Sequence, residues 1–67
     1  MVIELRNIHY FVAAAEHGSF RRAAAFLSIQ ESAVSRRIRD LEDRLGASLF
    51  HRHSGGVSLT VAGERVL

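Results

Sequence analysis

The sequence predicts a mainly α-helical domain with one small β-hairpin, and three observations carry this prediction. Apolar residues recur at steps of three and four in several segments, which is typical of amphipathic helices. A glycine-rich turn separates two short strand-like pieces, which indicates a hairpin. The chain has 67 residues, a length that suits one small domain with a modest core.

The first two predicted helices are short and meet at a Gly-Ser pair. The first covers residues 5–16, and its apolar stripe comprises Leu5, Ile8, Phe11, Val12 and Ala15. We expect Gly18 to end this helix and Ser19 to cap the next, which covers residues 20–27. That second helix is rich in alanine, and its expected core-facing residues are Phe20, Ala24 and Leu27.

The third predicted helix covers residues 31–45. Its apolar side follows steps of four, three and four, through Val34, Ile38, Leu41 and Leu45. Gly46 stands where a C-cap glycine belongs. Two starts fit the sequence. Ser28 and Glu31 have capping-box spacing, which would begin the helix near residue 29, whereas Gln30 as N-cap would begin it at 31.

A hairpin and the beginning of a fourth helix follow. The strand-like pieces 48–50 and 57–59 are separated by a turn at 54–56, which contains two glycines. A two-stranded ribbon is marginally stable by itself, so we expect the hairpin to pack on the helices. Thr60 is the expected N-cap of the last helix. The sequence then stops without a C-cap signal, from which we expect the chain to be a fragment of a longer protein.

This order of elements is the layout of a winged helix-turn-helix. In that motif the second helix of the pair enters the major groove of DNA and the first crosses the backbone. We therefore expect residues 31–45 to form the reading helix and residues 48–59 the wing. At about 100° per residue, the side opposite the apolar stripe carries Ser32, Ser35, Arg36 and Arg39. Hydroxyls and guanidinium groups bind phosphates and base edges.

The same arginine run permits a second interpretation. Arg36 and Asp40, Arg39 and Asp43, and Asp40 and Arg44 have the spacing of i,i+4 ion pairs, each worth about 0.2–0.5 kcal/mol. The run would then be a solvated face, and the domain a helical module that binds another protein. The first two pairs have the less favourable order, with base before acid, and a protein-binding module explains the hairpin poorly.

Composition narrows the classes of function. The formal net charge is +2, and all nine basic residues are arginine, whose planar guanidinium suits phosphate and guanine. A codon bias toward arginine explains the same composition, so the positions of the arginines matter more. Cysteine is absent, no apolar run approaches the ~20 residues of a membrane span, and the start lacks a signal-peptide pattern. We expect a cytoplasmic protein with no membrane partner.

Catalytic, cofactor and metal sites have little support. His51 and His53 flank Arg52 in the wing, and a His-x-His pair on one strand face suits a metal, but no acid or cysteine nearby completes the site. Alternatively, protonated histidines would assist phosphate contact and make binding sensitive to pH. No matched Ser-His-Asp set or phosphate-binding glycine loop is present. We expect no enzyme, no cofactor and no metal.

These residues carry a family resemblance. The chain resembles the N-terminal DNA-binding domain of the LysR-type transcriptional regulators over essentially its whole length, through "LRNIHYFVAAAEHGSFRRAAAFL", "SAVSRRIRDLEDRLGASLF" and "LTVAG". The resemblance implies a winged helix-turn-helix at residues 1–59 and, at 60–67, the start of a linker helix that pairs two subunits. It further implies operator DNA as partner, a homodimer or full-length homotetramer, and a small-molecule effector bound by a domain outside this chain.

The resemblance also implies roles for single residues. Ser32, Ser35 and Arg36 match positions that contact bases and phosphates, and Arg52 matches a wing arginine. Members often have Ser-Gln where this chain has Gln30-Glu31, so Glu31 either accepts from a cytosine amino group or favours the helix N-terminus. The predicted DNA-binding set is Arg21, Arg22, Glu31, Ser32, Ser35, Arg36, Arg39 and Arg52. The predicted dimerisation set is Val61, Val66 and Leu67.

Overall fold

The computed structural model describes residues 4–67, which form three helices, a hairpin and a fourth helix. The helices are α1 (Leu5–His17), α2 (Phe20–Leu27), α3 (Glu31–Leu45) and α4 (Val61–Val66), and the strands are β1 (Phe50–His53) and β2 (Gly56–Leu59). The prediction of a mainly α-helical fold with a small hairpin is confirmed. None of the helices in this part of the chain is long and apolar enough to span a membrane.

The core lies where α1, α2 and α3 meet. Its largest fully buried apolar side chains are Phe11, Val34, Ile38, Leu41 and Leu49. Alanines at 23 and 24 are buried on α2, and their small size lets that helix approach its neighbours closely. The predicted stripe of α1 is wrong at its first member, because Leu5 is 82% exposed in the first turn. The buried face of α1 begins instead at Asn7.

The helix ends follow local capping. Gly18 ends α1 in the left-handed conformation, and the Ser19 hydroxyl accepts a hydrogen bond from the Arg22 amide at 3.1 Å. The capping-box start of α3 is wrong. Ser28 ends α2 in the left-handed conformation, with a φ of 59°, whereas an N-cap residue is extended, so Ser28 does not begin the next helix. The alternative is confirmed, since α3 begins at Glu31 with Gln30 as N-cap.

The hairpin is antiparallel, with Phe50 opposite Leu59. Its first strand begins two residues later than the sequence predicted. The Leu49 amide donates to Glu42 Oε2 at 2.8 Å, which withdraws this residue from the ladder. The Thr60 amide donates to the Leu49 carbonyl at 3.0 Å and closes the base of the ribbon.

Thr60 joins the hairpin to α4. Its hydroxyl accepts from the Gly63 amide at 3.0 Å, as an N-cap should, and donates to the Ser48 carbonyl at 2.6 Å. Gly63 itself is buried, and a Cβ there would overlap the Leu49 carbonyl oxygen. Only glycine therefore allows α4 to begin against the hairpin in this position.

Polar contacts fix α1 against α3. The buried Asn7 donates from Nδ2 to Asp40 Oδ2 at 2.9 Å, and Arg37 pairs with Glu4 at 2.9 Å. Arg44 Nε lies 3.3 Å from the same Asp40 oxygen. The hydrogen bond from Asn7, followed by that from Arg44, holds the pKa of Asp40 below its ordinary value. Asn7 Oδ1 is buried and has no hydrogen-bond partner among the residues described.

Candidate nucleic-acid interface

The outward side of α3 carries the side chains that the sequence assigned to it. Ser32, Arg36 and Arg39 are exposed and Ser35 is half-buried, while the opposite side of the helix is buried. The N-terminal half of α3 therefore presents hydroxyls and guanidinium groups to solvent, and its apolar side fastens it to the core.

The ion pairs that would have occupied these arginines do not form. Within residues 4–67, neither Arg36 nor Arg39 is paired with an acid. Asp40 bonds Asn7 and Arg44 instead, so only the third predicted pair, Asp40 with Arg44, is present. The interpretation of the run as an ion-paired face therefore does not describe the outward arginines.

Two open clefts separate α2 and the start of α3 from the hairpin. The larger, of about 480 Å³, lies between the first turn of α2, with Arg21 and Arg22, and the turn at 54–56. The smaller, of about 230 Å³, brings Arg21, Glu31 and Arg52 to one concave surface. Residues from three separate elements thus meet at the end of α3 that points toward the wing.

Arg52 is held on an aromatic ring. Its guanidinium carbon lies 4.8 Å from the centroid of the Phe20 ring, the geometry of a cation–π contact. Phe20 meets Phe50 edge to face at 5.4 Å, and Phe50 lies 5.4 Å from Phe11. This role of Phe20 was not predicted, because a phenylalanine and an arginine so far apart in sequence give no periodic signal.

Glu31 is the acidic residue of this surface. It is exposed at the first position of α3, and its carboxylate forms no ion pair with the other described residues. The capping box that offered it a structural role is not formed, because Ser28 belongs to the end of α2. A carboxylate at a helix N-terminus is still favoured by the helix dipole.

The remaining predicted residues lie at the edges of the molecule. His51 and His53 are exposed on β1, and residues 4–67 contain no group of three or more His, Asp or Glu that would hold a metal ion. Val61, Val66 and Leu67, the predicted dimerisation residues, are 68%, 37% and 64% exposed. All three side chains are exposed in the single chain.

Two residues that shape the interface indirectly were also missed. No sequence pattern singles out Glu42, whose carboxylate accepts from the Leu49 amide at 2.8 Å and fixes the approach to the wing. Gly56 lies so close to the Gly18 carbonyl oxygen that a Cβ would overlap it. A glycine in a turn motif signals conformational freedom, but the sequence does not show which distant backbone it must approach.

Comparison with known proteins identifies the family to which this fold corresponds. The family model described as bacterial regulatory helix-turn-helix protein, lysR family, matches residues 5–64. The HTH-type transcriptional regulator YnfL of Escherichia coli (strain K12) is 48% identical over 67 residues, covering 100% of this chain and 23% of the relative. The chain thus spans 21–23% of the length of YnfL and of two further curated relatives.

Solved structures agree with the family model. The crystal structure of the BenM DNA-binding domain with catB site 1 DNA is 43% identical, with a TM-score of 0.89 over 94% of this chain and 70% of that one. The complex of the CbnR DNA-binding domain with DNA is 37% identical, with a TM-score of 0.90 over 92% of this chain and 71% of that one. The chain therefore belongs to the lysR family of bacterial regulatory helix-turn-helix proteins, and its fold is their winged helix.

Proposed function

We propose that this chain is the sequence-specific, double-stranded DNA-binding domain of a LysR-type transcriptional regulator. The observation that carries the proposal is the pair Arg36 and Arg39, exposed on the outward side of α3 without an acidic partner in residues 4–67. Two similar domains, from BenM and CbnR, were solved in complex with DNA, which supports the same partner here.

In this proposal α3 enters the major groove. Ser32 and Ser35 donate to phosphates and donate to or accept from base edges, and Arg36 presents its two parallel donors to guanine O6 and N7. Arg39, one turn further along, continues the same side of the helix. Arg21 and Arg22, in the first turn of α2, bind the phosphate backbone across the groove. Direct contacts to base edges supply the sequence preference, and the phosphate contacts fix the register.

The wing contributes a backbone or minor-groove contact through Arg52. Glu31 acts in the opposite sense to the arginines around it, because its carboxylate repels phosphate and accepts a hydrogen bond from the cytosine amino group. A carboxylate beside Arg21 and Arg52 thus lowers affinity for DNA in general and favours a cytosine where the start of α3 meets the bases.

Assembly belongs to the same proposal. Of the predicted winged helix at residues 1–59, the first three residues lie outside the described part of the chain and residues 4–59 form the domain; residues 60–67 begin a linker helix whose exposed Val61, Val66 and Leu67 pair two copies. Two copies would read half-sites about one helical turn apart, as helix-turn-helix dimers do. The whole protein would be a cytoplasmic, non-enzymatic regulator, dimeric or tetrameric, whose effector binds outside this chain.

The salt dependence of binding tests the proposal against the rival, a helical module that binds protein. Every phosphate that the arginines neutralise should contribute about 0.9 to the slope of log affinity against log salt on duplex DNA. Selection of bound duplexes from a random library should then enrich one sequence. Binding that ignores salt, or a library that shows no enrichment, would contradict sequence-specific DNA recognition.

A further inference from the structure

We propose that Phe20 is a positioning residue that holds Arg52 ready for the DNA backbone. The inference rests on the proposed function and adds a residue that does not itself reach DNA. Phe20 is 6% exposed, so its ring belongs to the core, and the outer face of that ring supports the guanidinium of Arg52 at 4.8 Å. Arg52 itself remains exposed on β1.

An aromatic ring suits this task better than a carboxylate. A carboxylate would occupy guanidinium N–H donors and cancel the charge, whereas a ring face attracts the cation through its quadrupole and leaves the donors open. The Arg52 guanidinium forms no ion pair with an acid in the 4–67 range. Its donors and its full charge therefore stay available to a phosphate.

The ring is itself fixed in place. Phe20 is the first residue of α2 and packs edge to face on Phe50, at 84° between the ring planes. The hairpin is tied to the same region, because the Val57 amide donates to the Gly18 carbonyl at 2.9 Å. Gly56 closes the approach, since a side chain there would overlap that carbonyl oxygen. Arg52 is thus held relative to α2, against which α3 packs.

Holding Arg52 before DNA arrives reduces the entropy lost on binding. A long, unrestrained arginine loses rotamer freedom when it grips a phosphate, whereas one already resting on a ring loses less. The ring also keeps Arg52 in a fixed position relative to the residues of α3 that contact DNA. Phe20 therefore acts on affinity through Arg52, and its effect should vanish when Arg52 is removed.

A double-mutant cycle on a random-sequence duplex tests this dependence in the intact protein. Phe20→Leu should weaken binding by about two- to fivefold, the size of an exposed cation–π contact. In an Arg52→Met background the same Phe20→Leu change should have no further effect on affinity. Phe20→Tyr, which keeps the ring face, should bind as the unsubstituted protein does. Equal losses with and without Arg52 would overturn the proposal.

Two further measurements separate positioning from folding. Phe11→Leu removes the same atoms from the same aromatic cluster, and should lower thermal stability without an Arg52-dependent change in affinity. In the unsubstituted protein, NMR should show the Arg52 side-chain protons shifted upfield by the ring current of Phe20. Unshifted protons would overturn the proposal even if Phe20→Leu does not fold. Shifted protons in a protein without salt-dependent DNA binding would instead refute the proposed function, and with it the role of Phe20.

Discussion

Arg36 and Arg37 are neighbours in the chain but belong to different parts of the structure. Arg37 turns toward α1 and pairs with Glu4 at 2.9 Å, while Arg36 points outward and has no acidic partner in residues 4–67. The same division recurs further along α3, where Arg44 is bonded to Asp40 and Arg39 is not paired with an acid. Half of the arginines on this helix stabilise the fold, and half remain available to a partner.

Helical phase, rather than residue type, decides whether an arginine of α3 stabilises the fold or faces solvent. One step along a helix turns a side chain by about 100°, enough to carry it from the α1 side to the solvent side. The acids follow the same rule. Asp40 is engaged by Asn7 from α1 and so is withdrawn from Arg36, which the sequence spacing offered to it. Substitutions on the two sides of α3 should therefore have separable effects.

The largest expected effect is on the outward side. Arg36→Ala should weaken binding to the cognate operator by about 1–3 kcal/mol and relax the preference at one base pair, because a bidentate guanine contact is lost. Arg37→Ala is the matched control. It should leave base preference unchanged and lower the free energy of unfolding by no more than about 1 kcal/mol. Operator titrations and denaturant melts of both variants check this, and similar losses of specificity would erase the division.

On the inward side, Asn7→Ala should lower the free energy of unfolding by about 1–2 kcal/mol, because a buried side chain and its hydrogen bond are removed. DNA affinity, measured where the variant is still folded, should not change. Denaturant unfolding together with a DNA titration provides the check. A variant of unchanged stability would show that this buried polar contact does not hold α1 on α3.

Arg52→Ala should affect specific and random DNA about equally and reduce the salt slope by roughly one, since a single phosphate contact disappears. Titrations at several salt concentrations on both kinds of duplex measure this. Arg52 would be a base reader, rather than a backbone contact, if its loss altered the preference at one base pair and nothing else.

Glu31→Gln should tighten binding to random DNA by about twofold, the order expected when one repelling charge is removed at the DNA surface. It should also change the base selected at one position of the operator. Asp43→Asn removes an acid near the other end of α3 and should do neither. Library selection with both variants decides the matter, and identical selected sequences would exclude Glu31 from base reading.

The smallest expected effect is on the free energy of unfolding at low pH. The pKa of Asp40 is lowered in the folded state, chiefly by the hydrogen bond from Asn7, so its carboxylate stabilises the fold above the ordinary aspartate pKa of about 4. That contribution is lost as pH falls through the lowered value. Unfolding measured against pH should show the unsubstituted protein and Asp40→Asn converging in acid. Curves that stay parallel would contradict the linkage.

Periodicity and capping chemistry were sufficient to predict the helices, the hairpin and the outward side of α3. They failed where burial is determined by a contact with a residue distant in the sequence. Asn7 is buried because Asp40, 33 positions away, accepts its hydrogen bond, and no local pattern shows this. Leu5 belongs to the right stripe but lies in a first turn that the core does not cover. Patterns report which face of an element is apolar, not how far its neighbours extend.

Some residues of the candidate site could likewise be placed from the sequence, and others could not. The sequence was sufficient to place Ser32, Arg36 and Arg39, because all three lie on one helix whose buried side is identified by its apolar residues. The support for Arg52 could not, since it depends on the packing of the hairpin against α2. The start of β1 depended similarly on Glu42, whose side chain takes the amide that a strand would have used.

Gly63 determines how α4 is attached to the hairpin. Its backbone lies directly against the Leu49 carbonyl, and Thr60 is bonded to Ser48 and Leu49 beside it, so α4 is clamped at its first turn. Because its first turn is fixed, α4 can move relative to the hairpin only by pivoting about the base of the wing. A rotation of α4 about this contact would have to displace Leu49 and Thr60 at the base of the hairpin, because no space is left between the two backbones.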